Sequence, residues 1–144
     1  MSKDSNALKV REFHEAIGEK PPRSPVYPDQ ALLDLRRTLV REEYEEAMEA
    51  LAGLERALDG EDEAEKSRRF TQASHELTDL LYVTYGALLW FGVDADEVFR
   101  EIHAANMRKT EGPKRADGKQ LKPEGWQPAD VAAVLERLRK ENAG

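Results

Sequence analysis

Cysteine is missing from the 144 residues, which removes disulfides, thiolate metal sites and cysteine nucleophiles and fits a cytoplasmic protein. A basic excess is missing too. Lys and Arg number 22 against 29 Asp and Glu, a net charge of -7, so no basic stripe for nucleic acid is expected, and a polyphosphate ligand would need a cation. Signal-like character is absent from MSKDSNALKV, where apolar residues are few and scattered. The longest apolar run, LLYVTYGALLWFG from Leu80 to Gly92, has only 13 residues and closely follows Asp79. It is short for a membrane span and reads as a buried helix. There is no internal repeat and no low-complexity tract.

The chain reads as one domain over residues 1–144, built from helices without a convincing strand. Val10, Phe13 and Ile17 recur at helical spacing over residues 5–17, with Ser5 or Asn6 as a cap and Gly18 as a stop. Four of the seven prolines fall in residues 19–29, predicting an extended, rigid connector. Asp29 then caps a second helix to about Leu58, a third covers roughly Asp62 to Phe91, and Asp94 with Glu97 opens a fourth toward Lys109. Residues 111–128 read as loop, and a last helix runs through Val131, Val134, Leu135 and Leu138. The expectation is an all-α antiparallel bundle of about five helices. So apolar a third helix leaves more surface than one chain can cover, so a four-helix core completed by homodimerisation is expected.

The second helix carries REEYEEAMEA at residues 41–50. With Glu42 at zero on a helical wheel, Glu46 lies at about 40° and Glu43 at about 100°, among Leu35, Leu39 and Leu32 at about 20°, 60° and 80°. Glu45, at about 300°, falls on the solvent side, and Glu49, at about 340°, on the boundary between the two sides. Three glutamates thus interrupt a leucine stripe. In the third helix, Asp79 is the single charge between Leu77 and Gly92, with Glu76 one turn earlier on the adjoining face. A charge taken from water needs compensation, which an Arg or a hydroxyl such as Thr78 or Thr84 can also provide.

If the two faces meet, Glu42, Glu43, Glu46, Glu76 and Asp79 converge. Two carboxylates about 4 Å apart repel by roughly 4 kcal/mol at an effective dielectric of 20, so such a cluster calls for a cation. All-oxygen ligands favour Mg²⁺, with Mn²⁺ as a substitute. A di-iron bundle would use Glu-x-x-His pairs, and none of His14, His75 or His103 has a Glu three residues before it.

The pair EEYEE at 42–46 and ELTD at 76–79, followed by LLY, resembles the EExxE and ExxD signature of the all-α nucleoside triphosphate pyrophosphohydrolases. VREFH, NMRK and DGKQLKPEGW extend the likeness to the MazG-like and phosphoribosyl-ATP pyrophosphohydrolase-like branch. Twenty-nine residues separate Glu46 from Glu76, toward the long end for that family. The resemblance implies Mg²⁺-dependent hydrolysis of a nucleoside triphosphate to the monophosphate and pyrophosphate. Glu42, Glu46, Glu76 and Asp79 would be metal ligands, and Glu43 a further ligand or the base that activates water; Glu43 and Glu46 are the catalytic candidates. It also assigns Asn106 and Lys109, by Asn-x-x-Lys, and Lys119, by DGK, to the phosphates. Lys114, Arg115 and Lys122 lie in the same loop. Phe13, His14 and Trp126 are candidates for the base. dUTP is the favoured substrate, since compact MazG-like chains include dUTP hydrolases. The alternatives are a phosphoribosyl-ATP pyrophosphohydrolase of histidine biosynthesis and a non-catalytic dimeric helical binding module.

Overall fold

A computed structural model describes residues 4–143, so Met1 to Lys3 and Gly144, which the one-domain reading includes, lie outside the described residues. The described residues form five helices in order: α1 (Asn6–Ala16), α2 (Gln30–Leu58), α3 (Glu63–Trp90), α4 (Ala95–Met107) and α5 (Val131–Glu141). The expected all-α class holds. Each starts where a short polar side chain accepts from the first turn: Ser5 from Leu8, Asp29 from Leu32, Asp62 from Ala64 and Glu65, Asp94 from Asp96 and Glu97, and Asp130 from Ala133. Among the described residues, strand pairing is confined to one antiparallel bridge between Lys114 and Gln120, inside the loop after α4.

The long helices α2 and α3 form an antiparallel hairpin that is the body of the fold. Their seam is made by small residues: Ala47, Ala50 and Gly53 on α2 and Ala73 and Gly86 on α3 are all buried. Small side chains let the two backbones approach, and the larger neighbours then fill the margins. At the hairpin's closed end Gly53 lies against the Arg69 side chain, and at its open end Gly86 lies against Arg36. The α1 helix packs on α3, while α4 packs on α5 and on the end of α3. Val98, Val134 and Leu138 form the α4–α5 core, joined by Val93, Val131 and Leu135.

The proline-rich connector crosses the end of α3 as an anchored strap. Val26 N–H donates to the Phe91 carbonyl at 3.0 Å. Arg11 donates to the carbonyls of Pro21 and Pro22. Gly92, at φ 67°, sits so close to the Ser24 carbonyl that a Cβ there would run into it, so both conformation and space require glycine.

The reading of Leu80 to Gly92 as a buried helix is corrected in part, since Leu81 and Tyr82 are exposed. Phe70, Leu77 and Leu81 are 64%, 40% and 57% exposed, and they share one stripe because they are spaced by seven and four residues. Leu35, Tyr44 and Met48 on α2 are also exposed, as are Phe99 and Ile102 on α4. A run without charges tells how apolar a helix is, not how much of its circumference one chain covers. No described helix is long and apolar enough to cross a membrane.

Candidate active site

The carboxylates predicted to converge come from α2 and α3, and the hairpin brings three of them together. One oxygen from each of Glu43, Glu46 and Glu76 lies within 4.8 Å of the others. Glu43 and Glu76 are half-buried and Glu46 is exposed. Glu43 Oε2 is buried and has no hydrogen-bond partner. Burial first, and then the charges of Glu46, Asp79, Glu76 and Glu42 in that order, push the Glu43 carboxyl above the ordinary carboxylate range. Repulsion without compensation is the signature of a site that a cation completes. Three carboxylates, one of them with an unpartnered oxygen shielded from water, fit a hard divalent ion.

The other two predicted ligands stand at the margin. Glu42 is exposed and its charge acts on Glu43 least among the four. Asp79 acts more strongly, but its Oδ2 pairs with His75 Nε2 at 2.9 Å one turn earlier on α3. Neither hydroxyl considered for Asp79 serves it. Thr78 and Thr84 donate back to the carbonyls of Ser74 and Leu80 within their own helix. Glu45 is exposed, as its wheel position required, and so is Glu49.

Two turns along α2 from Glu43, the seam holds a second polar group that sequence reasoning missed. Arg36 is only 7% exposed, its guanidinium carbon lies 5.4 Å from the centroid of a Trp90 ring, and its Nε is buried without a partner. Burial lowers its pKa from the usual guanidinium value, and the charge of Glu19 works in the opposite direction. His14, buried at 8%, stands beside it: Nδ1 lies 2.5 Å from Glu19 Oε2 and 3.2 Å from the Trp90 indole nitrogen. A proton on Nδ1 serves the carboxylate, and one on Nε2 leaves Nδ1 to accept from the indole. Glycine at 86 makes room for this arrangement, since a Cβ there would lie 3.4 Å from Arg36 Nη1 and 3.7 Å from His14 Nε2. The signal was present: on the wheel Arg36 falls at about 120°, next to Glu43.

The remaining candidates are dispersed. Phe13 is 47% exposed and meets Tyr82 edge-on with centroids 6.0 Å apart. Trp126 does not join Phe13 and His14. Its indole N–H donates to the Ala105 carbonyl at 2.7 Å, which pins the loop to α4, and Lys109 and Lys122 place their ammonium groups 4.9 and 4.8 Å from its ring centroid. Lys109 also donates to Asn106 Oδ1 at 2.9 Å, so the Asn-x-x-Lys pair is preformed at the end of α4. Lys119 is exposed on the turn beyond, where its backbone N–H donates to Asp117. A cavity of about 310 Å³ between α1, α3, α4 and α5 includes Arg11, Arg23, Glu97 and Arg137, each of them paired, and none of the candidate ligands.

No curated protein sequence matches the chain significantly. The family model of phosphoribosyl-ATP pyrophosphohydrolase matches residues 10–106, which takes in α1 from Val10 onward, the strap, both carboxylate-bearing helices and α4 as far as Asn106. Two helices presenting carboxylates across an antiparallel seam therefore have a family context, and the chain belongs to the phosphoribosyl-ATP pyrophosphohydrolase family, in the MazG-like branch of the all-α nucleotide pyrophosphohydrolases.

Proposed function

We propose that the protein hydrolyses a nucleoside triphosphate, with dUTP favoured, to the monophosphate and pyrophosphate in a Mg²⁺-dependent reaction that clears unwanted nucleotides. The observation that carries this reading is the convergence of Glu43, Glu46 and Glu76 around a buried, unpartnered carboxylate oxygen in a chain of a pyrophosphohydrolase family. Glu42, Glu43, Glu46, Glu76 and Asp79 would hold the ion, with Mn²⁺ as a substitute. When bound, such an ion neutralises phosphate charge and makes water a stronger acid. Glu43, whose proton affinity is already raised, suits the task of accepting a proton from the attacking water. Asn106, Lys109 and Lys119 would meet the phosphates, and Phe13 and His14 would line the side on which the base lies.

The preference for dUTP rests on the resemblance to compact MazG-like chains. Phosphoribosyl-ATP is the second reading, and the name of the matching family favours it. A panel of canonical, deoxy and oxidised triphosphates that includes phosphoribosyl-ATP, followed by pyrophosphate release, separates the two. Asp79→Asn tests the ligand assignment in the same assay: near wild-type hydrolysis would remove Asp79 from the centre.

The working form is a homodimer in this reading. Its support is the exposed stripe of Phe70, Leu77 and Leu81 on α3, beside Tyr44 and Met48 on α2. A second copy would cover it.

A further inference from the structure

Among the described residues, three carboxylates form the compact group, whereas Asp79, outside it, already has a partner that the ligand pattern does not predict. His75 precedes Glu76 directly and lies one turn before Asp79, so a single helix turn carries two candidate ligands and an imidazole that reaches one of them. The contact is an ion pair, Nε2 to Oδ2 at 2.9 Å, between side chains that are 69% and 44% exposed. Asp79 is near enough to Glu43 for its charge to disfavour ionisation there, second only to Glu46 among the neighbouring charges. The hydroxyls of Thr78 and Thr84 are committed to their own helix, so neither competes with His75 for this carboxylate.

A carboxylate free to turn about its side-chain bonds loses that freedom when it ligates an ion. Hydrogen bonding one of its oxygens beforehand reduces the loss and leaves the other oxygen available. We propose that His75 is a positioning residue of the metal centre: its imidazole holds one oxygen of Asp79 and so prepares the other to take the ion. This rests on reading the carboxylates as ion ligands. It explains why an exposed histidine stands in an otherwise acidic and apolar turn, and it gives Asp79 a role that its absence from the three-residue group would otherwise obscure.

The test measures Mn²⁺ affinity by calorimetry on the full chain without substrate, together with the thermal midpoint in chelator. His75→Ala should weaken Mn²⁺ binding about ten-fold while leaving the chelator midpoint nearly unchanged, as expected when a partner of a ligand is lost. His75→Gln, which keeps an N–H donor on a side chain of similar reach, should recover most of the affinity. Combining His75→Ala with Asp79→Asn should weaken binding no more than Asp79→Asn alone, because the histidine acts through that carboxylate. Wild-type affinity in His75→Ala, with weakened binding in Asp79→Asn, would overturn the role of His75 and leave the metal centre standing. Wild-type affinity in Asp79→Asn as well would remove Asp79 from the centre and the inference with it. Additive losses in the double variant would also overturn the proposal, since His75 would then act by another route.

Discussion

Glu45 and Glu46 are adjacent in sequence and both exposed, yet they face different neighbours. Glu46 has an oxygen within 4.8 Å of those of Glu43 and Glu76, whereas Glu45 is outside that group. Glu46→Ala should therefore lower Mg²⁺-dependent turnover by at least about 100-fold, and Glu45→Ala should stay within about two-fold, the scale expected when a group in the reaction's electrostatic machinery is lost. Steady-state rates of the two variants check this. A second prediction concerns Glu43 and pH. Its pKa is raised in the fold by burial and by neighbouring carboxylates, so the native state holds the proton more tightly than the unfolded chain does. That stabilisation is complete at acid pH, below the unfolded carboxylate range, and is lost as pH rises through the folded value. In chelator, Glu43→Gln should accordingly have a higher thermal midpoint than the wild type at neutral pH, and the gap should close on acidification. Adding Mg²⁺ at neutral pH should stabilise the wild type and do less for the variant. The acidic face was legible because wheel angles separate Glu46 from Glu45. The contacts of His75 with Asp79 and of Arg36 with Trp90 were not legible, because one is made across a helix turn and the other across helices.

Element boundaries were open to reading where a cap supplies a local physical reason. Asp29, Asp62 and Asp94 each accept from the first turn of their helix, and Gly92 ends α3 with a positive φ. What local pattern could not supply is how tightly the strap lies on that glycine. Gly92→Ala would force the Ser24 carbonyl away and demand a left-handed conformation from alanine. It should destabilise the protein by more than about 1 kcal/mol, measurable by denaturant titration. The junction of α4 and α5 gives a milder prediction. Glu97 accepts from Arg100 at 2.5 Å and Arg137 at 2.7 Å, and these hydrogen bonds, Arg100 first, hold its carboxyl below its ordinary range. Its contribution is present above the unfolded carboxylate range and is lost as pH falls through the folded value. Because Arg137 is exposed to solvent, Arg137→Ala should lower the thermal midpoint only slightly at neutral pH, and the loss should fade in acid. Thermal midpoints across pH report both sign and size.

At the scale of the whole molecule, two unlike surfaces share the α2–α3 hairpin. One brings carboxylates together across the seam, and the other leaves Phe70, Leu77 and Leu81 uncovered. Sequence showed the apolar content of α3 but not its division, since uncovered and covered leucines are the same letters. If a second copy covers the stripe, sedimentation should give the mass of two chains, and Leu81→Glu should shift it toward one. Family membership narrows the chemistry to pyrophosphohydrolysis, and the carboxylate group says where in the fold it takes place in this account. The most direct test follows pyrophosphate release from the nucleotide panel by wild type and Glu46→Ala, with Mg²⁺ present. The account predicts release by the wild type, with a monophosphate product and dUTP the best substrate, and almost none from Glu46→Ala. No product from any substrate, phosphoribosyl-ATP included, or equal turnover by the two proteins, would contradict it.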